Sequence, residues 1–530
     1  MEDRRHFLKT VGVGALAYSA TSAMGQAPRS DKFPLPLRSA FNVREFGAKG
    51  DGVTIDTQSI NRTIDLVASN GGGTVFFPAG TYASYSIQLK SRVTLLFDSG
   101  ATILAASVPD AGTTSGGYDA AESNGEWEQY QDYGHNHWHN SLVWGEGLND
   151  IAIIGTGLIW GKGLSRGLTE LPRAESPGVG NKTIALKNCR NVLLRDFSIL
   201  KGGHFGILAT GVDNLTIDNL TIDTDRDGMD IDCCRNVRIS NCSVNSPWDD
   251  GICPKSSFAL GYARSTENVT ISNCYVTGAY ELGTMLDGTW KRIPPDAKVP
   301  RTGRIKCGTE SNGGFKNITV TNCVFDGCRG IALETVDGAQ LEDIAFTNIT
   351  MRNCTNTPIF LRLGTRMRTP KGQPVGTLRR VLLSNIVSYN CVPQFACIIA
   401  GVPGYDVEDI KLSNLYLHHQ GGGTPRMAAL TPAEDADKYP EPRMFGDLPA
   451  SGFFLRHARN LEFSNVEIAT EAPDARPAFW MDDVKGADFF RLKLPGATPR
   501  FRLSNVMDFS VLASRGIKDT VLSEAKQEQF

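Results

Sequence analysis

Leu215-Thr-Ile-Asp-Asn219-Leu-Thr-Ile, Val237-Arg-Ile-Ser-Asn241-Cys-Ser-Val and Val269-Thr-Ile-Ser-Asn273-Cys-Tyr-Val are three copies of one pattern. Apolar and polar residues alternate on either side of an asparagine, the mark of a strand buried on one face. The copies return at Ile318 to Asn322, Ile344 to Asn348, Val381 to Asn385, Ile410 to Asn414 and Leu461 to Asn465. Asn219 and Asn241 are 22 residues apart. A propeller blade needs about 40 to 50 residues. Three short strands and their turns fit in the shorter span, so the unit reads as one coil of a parallel β-helix. The asparagines, at equivalent turns, are expected to stack as a hydrogen-bonded ladder.

Outward from these copies, residues 41–510 read as the β-helix and 511–530 as a cap or tail. Glu126 to His139, Thr289 to Gly303 and Gly421 to Phe445 break the repeat as polar excursions. On a solenoid such insertions gather on one face and build a cleft. At the other end, Arg4-Arg5-His6-Phe7-Leu8-Lys9 is a twin-arginine pattern, followed by an apolar stretch to Ala20 and small residues. Residues 1–27 therefore read as an export signal and 28–40 as a linker, with a periplasmic or extracellular destination.

Composition limits what remains. Of 530 residues, 54 are basic and 57 acidic, a net charge of -3, which argues against a nucleic-acid partner. No apolar run reaches the roughly 18 residues of a membrane span. A monomer without cofactor is expected. Twelve cysteines in an exported chain suggest disulfides. Yet Cys242, Cys274 and Cys323 each follow the ladder asparagine, a register that favours buried, reduced thiols. No spacing reads as a zinc site, and His135, His137 and His139 read as a polar loop rather than a metal centre.

Two acidic clusters carry the chemistry: Asp225-Arg-Asp227-Gly-Met-Asp230-Ile-Asp232 and Asp249-Asp250. Asp227 to Asp249 is again 22 residues, one coil, so they belong on neighbouring strands about 4.8 Å apart. Like charges that close raise one pKa and set a proton donor beside an ionised base, the pair that glycoside hydrolysis uses. A solvated acidic turn or a calcium site is the plainer reading.

The chain resembles glycoside hydrolase family 28, the polygalacturonase and rhamnogalacturonase group. The likeness lies in Phe41-Asn-Val-Arg-Glu-Phe-Gly-Ala-Lys-Gly-Asp51-Gly, Gly71-Gly-Gly-Thr-Val-Phe-Phe-Pro-Ala-Gly80, Ile154-Gly-Thr-Gly-Leu-Ile-Trp-Gly-Lys-Gly163 and Trp248-Asp-Asp-Gly-Ile-Cys-Pro-Lys255-Ser. It implies an all-β, single-stranded, right-handed parallel β-helix of the pectin-lyase-like kind. It also implies that Asp249 is the general acid, that Asp227 and Asp250 activate the attacking water, and that the anomeric carbon inverts. The family's Asn-Thr-Asp motif is Asp225-Arg226-Asp227 here. Its Gly-His-Gly motif is expected near Gly278-Ala-Tyr-Glu281, where no histidine stands. Its Arg-Ile-Lys motif is expected after Arg329-Gly330, where the chain reads Ile-Ala-Leu-Glu334-Thr-Val-Asp337. Arg304-Ile-Lys306 stands one coil too early.

Arg304 and Lys306 lie on one side of a strand by period two. With Lys255 they are expected to form a basic patch for a uronate carboxylate, with Arg362, Arg366 and Arg368 as further candidates. Glu310 and Glu334 point to the same region, as an extra acid, a sugar-hydroxyl ligand or a partner for Arg304. Trp248, Tyr280 and Trp290 are candidate stacking platforms for sugar rings. The expected function is a secreted hydrolase of galacturonate-containing plant cell-wall polysaccharide or oligosaccharide. The alternatives are a polysaccharide lyase, with calcium on the aspartates and Arg304 or Lys306 as base, and a non-catalytic glycan-binding β-helix.

Overall fold

The computed structural model describes residues 40–108, 117–123, 125–131, 134–167, 169, 171–496 and 499–530. The export signal and all but Ala40 of the linker lie outside them. Residues from Ala40 on form a right-handed parallel β-helix. One coil is Phe205–Thr210, Asp213–Asp218 and Thr221–Asp223; the next is Asp227–Asp232, Arg235–Ser240 and Ser243–Asn245. Each strand pairs in parallel with its counterpart one coil away, as in Leu215↔Val237↔Val269↔Ile318. The inward column is apolar throughout and fully buried, which is what the alternating pattern demands.

The turn asparagines adopt left-handed backbone angles, φ 54 to 58° from Asn219 to Asn465. That conformation costs most residues about 1–2 kcal/mol, and asparagine tolerates it because its short side chain bonds locally. From Asn241 the ladder is continuous: each Nδ2 donates to the Oδ1 of the asparagine one coil back, at 3.3 Å for Asn273 and Asn322 and 2.9 Å for Asn414. A second ladder, not anticipated, runs through Asn191, Asn214, Asn236, Asn268 and Asn317, each donating to the one before it. All twelve cysteines are buried and unpaired.

The two ends of the coil stack differ from the repeat. The helix Thr57–Ser69, also not anticipated, packs Ile60, Ile64 and Val67 onto Gly73–Phe77 and Val93–Phe97. At the other end Thr520–Gln529 pairs antiparallel with Phe501–Leu512, closing the last ladder of backbone donors and acceptors. No helix of the described residues is long and apolar enough to cross a membrane.

Six short parallel strands make a separate sheet: Ile87–Gln88, Val143–Glu146, Lys182–Lys187, Phe205–Thr210, Asp227–Asp232 and Ile252–Lys255. The stack continues through Lys306–Cys307, Ile331–Thr335 and Ile359–Leu363. All three insertions lean on it. Trp138 packs with Ala185, Phe205 and Leu208. The segment after Trp290 delivers Gly303, whose N–H donates to Asp249 O at 2.8 Å. Tyr439 reaches Thr309, hydroxyl to hydroxyl, at 3.0 Å.

Candidate active site

Asp227 opens its strand, and Gly228 N–H donates to Asp250 O one coil on, at 3.0 Å. That register brings Asp227, Asp249 and Asp250 together, with one carboxylate oxygen of each within 4.8 Å of the others. Asp227 and Asp250 are buried, and Asp249 faces the cleft with its side chain 29% exposed.

Their surroundings differ sharply. Burial, and then the charges of Asp230 and Asp249, push the Asp227 carboxyl well above its ordinary pKa. Burial alone would raise Asp250 too. Lys306 Nζ and Arg304 Nε, each 2.8 Å away, outweigh it and hold that carboxyl below the usual carboxylate range. Asp249 takes a hydrogen bond from Arg226 Nη2 at 2.8 Å. One group is thus poised to hold a proton and another is kept ionised, within reach of one bound molecule.

Lys255, Arg304, Lys306, Glu310 and Glu334 are all brought here, but not as an open basic patch. All five are at most 5% exposed and are engaged with one another or with the aspartates. Lys255 lies 3.1 Å from Glu310 and 3.8 Å from Asp230. Arg304 reaches Glu334 at 3.6 Å and Glu441 at 3.7 Å, and Lys306 reaches Glu334 at 3.9 Å. The reason is local. Cations and carboxylates of neighbouring coils face one another, and Glu441 reaches Arg304 and Arg329 from a loop. Of the three readings of Glu334, the arrangement seen is the partner of Arg304. Arg362 is fully buried and donates to the carbonyls of Gly401 and Glu434, and Arg366 pairs with Asp337 at 2.5 Å. Ile305 bridges Ile252, so Arg304 and Lys306 do stand on the coil just after Asp249 and Asp250. Tyr280 and Trp290 stack on each other with ring centres 3.9 Å apart. Trp248, 37% exposed, donates from Nε1 to Glu281 at 2.7 Å, and the Arg166 guanidinium lies over its ring, 5.8 Å from the centroid.

Sequence reasoning missed several groups. His135 is buried, its Nε2 3.0 Å from Asp230 Oδ2. Burial and Lys255 oppose its protonation, but the Asp230 hydrogen bond and the Glu310 charge prevail and raise its pKa. The histidine triplet was its signal, although the three side chains diverge: His139 joins Glu122 and Glu146 in a second group of possible metal ligands. Asp230 stood inside the acidic run without a role. Tyr439 and Glu441 come from an aperiodic loop that carries no signal. A cavity of about 590 Å³ opens beside Glu122 and His137, and none of the three clustered aspartates lines it.

A family model described as rhamnogalacturonase A/epimerase, pectate lyase-like, matches residues 40–283. The chain is 22% identical over 411 residues to a probable polygalacturonase of Vitis vinifera, covering 71% of this chain and 73% of that one. It is 25% identical over 378 residues to an exo-poly-alpha-D-galacturonosidase of Dickeya chrysanthemi, 61% of this chain and 56%, little more than half, of that protein. Among solved structures it superposes on a family 28 exopolygalacturonase of Yersinia enterocolitica with a TM-score of 0.61 at 17% identity, over 87% and 78% of the two chains. For a hyperthermoactive exopolygalacturonase of Thermotoga maritima the TM-score is 0.55 at 17% identity, over 82% and 92%. With its register, its carboxylate cluster and these likenesses, the chain is a divergent, family-28-like protein of the pectin-lyase fold.

Proposed function

We propose that this protein is an exported glycoside hydrolase that cleaves α-linked galacturonate chains with inversion. The observation that carries the reading is the cluster of Asp227, Asp249 and Asp250, three carboxylates on adjacent coils with oxygens within 4.8 Å of one another. A water hydrogen-bonded to two carboxylates spans up to about 5.4 Å between their oxygens, so Asp227 and Asp250 can hold one water between them. Asp249 protonates the glycosidic oxygen, which leaves with the electron pair of the broken C–O bond. The water's oxygen bonds to the anomeric carbon from the opposite face, and its proton passes to Asp227. Asp250 stays ionised throughout, and Asp227 returns its proton to Asp249 through solvent. The named activities of the two curated relatives support a galacturonate substrate, and the converging insertions favour exo action. Export rests on the arginine pair, and cell fractionation with and without Arg4 and Arg5 tests it.

The test of the activity follows new reducing ends and the ultraviolet absorbance of unsaturated uronate together, on polygalacturonate and rhamnogalacturonan oligosaccharides. Reducing ends alone mean hydrolysis. Both signals together mean a lyase and overturn this reading. The anomer seen first by proton NMR decides between inversion and retention.

The electrostatics add a pH prediction. Asp227 accepts a proton only once ionised, and its pKa is raised. The acid limb of kcat/KM therefore lies above the ordinary aspartate value of about 3.9, and activity is lost as pH falls through it. Asp230→Asn removes one of the negative charges that raise Asp227, so the limb moves to lower pH. A limb that stays in place in a pH–rate profile of that variant would count against Asp227 as base.

A further inference from the structure

Arg226 stands where this sequence departs from the family-like pattern, between Asp225 and Asp227. Its backbone is fixed: its carbonyl accepts from Ser246 Oγ at 2.5 Å. Its side chain is less committed. Nη2 donates to Asp249 Oδ2 at 2.8 Å, while Nε is buried and has no hydrogen-bond partner. The side chain is 34% exposed. Lys255, Arg304 and Lys306 are different, buried and each within 2.8 to 3.1 Å of a buried carboxylate. Turning any of them toward a ligand would strand Asp250 or Glu310 in the interior without its counter-charge. Moving Arg226 strands nothing, because Asp249 faces water.

We propose that Arg226 recognises the carboxylate of the sugar, and that it leaves Asp249 to do so. The proposal rests on the hydrolase reading above and names the specificity residue of that site. A guanidinium binds a carboxylate best edge-on, through two parallel N–H groups. The edge formed by Nε and Nη2 carries one bond to Asp249 and one empty donor, and a uronate carboxylate fills both. The ion pair at Asp249 is exchanged rather than simply broken. In the free protein Arg226 occupies Asp249; once a uronate has taken the guanidinium, the Asp249 carboxyl is free to turn to the glycosidic oxygen. A neutral sugar brings nothing to exchange, so discrimination appears in turnover as well as in binding. Burial and the Arg226 charge push the His204 imidazole beside it well below its ordinary pKa, which leaves that ring uncharged.

The test compares trigalacturonate with its methyl ester on the wild type, Arg226→Gln and Arg226→Lys. A charged hydrogen-bond pair is expected to give the free acid an advantage of about 10- to 100-fold in kcat/KM. Arg226→Gln should lose that advantage, the lysine variant falling between. Equal losses on acid and ester, or an acid preference kept by Arg226→Gln, would overturn the proposal. If no substrate is turned over, the hydrolase reading fails, and calorimetric titration with the same two trisaccharides still decides the role of Arg226. A free-acid preference in binding that vanishes in Arg226→Gln supports it, and equal binding of both sugars by wild type overturns it. Unchanged circular dichroism and melting confirm that each variant is folded.

Discussion

Asp249→Asn lowers kcat by about 10²- to 10⁴-fold, the usual contribution of a positioned proton donor, with little change in stability. The side chain lies at the water boundary, and an asparagine carbonyl can still accept from Arg226 Nη2, so the loop keeps its anchor. What is lost is the proton for the leaving oxygen. The loss should therefore depend on the leaving group: an aryl α-galacturonide, whose phenolate departs unaided, should recover most of its rate in Asp249→Asn. Asp227→Asn should show no such recovery, because it removes the acceptor of the water's proton. Steady-state kinetics on both substrates separates the two aspartates. Near-full activity of Asp249→Asn on oligogalacturonate would remove it from the mechanism.

The second large effect is on stability. Arg304 is 2% exposed and is shared by Asp250, Glu334 and Glu441. Arg304→Ala leaves those carboxylates with less counter-charge in the interior, and breaking a buried pair from one side costs about 3–5 kcal/mol. By contrast, Lys411→Ala, which breaks an exposed pair with Glu462, is expected to cost about 1 kcal/mol or less. Urea unfolding at pH 7 gives both values. The pH dependence has a definite sign. Asp250 is depressed when folded, so its contribution is present above its unfolded value of about 3.9 and is lost as pH falls through its folded value. The gap between wild type and Arg304→Ala should narrow in that acid range. Adding Asp250→Asn to Arg304→Ala should restore part of the stability, because the stranded charge is gone. An Arg304→Ala cost no larger than that of Lys411→Ala would mean the network contributes nothing to stability.

Much of this was legible along the chain. The alternating pattern around Asn219, Asn241 and Asn273 sufficed for the coil, the inward columns and the ladder. The second ladder was legible too: Asn214, Asn236, Asn268 and Asn317 each stand five residues before a ladder asparagine. So was the end-capping helix, in the helical spacing of Ile60, Ile64 and Val67. Which aspartates meet follows from their spacing along the chain, because strand register repeats by translation and a spacing of one coil is a spatial neighbour. What those aspartates feel depends on the folded molecule. Arg304 was placed on the right strand face, but its charge is shared with Glu334 on the next coil and Glu441 on a distant loop. Loops such as the ones bearing His135, Tyr439 and Glu441 have no period, so nothing along the chain says where they land. Burial turns their arrival into chemistry: once water is excluded, the nearest charge sets which carboxyl keeps its proton and which stays ionised.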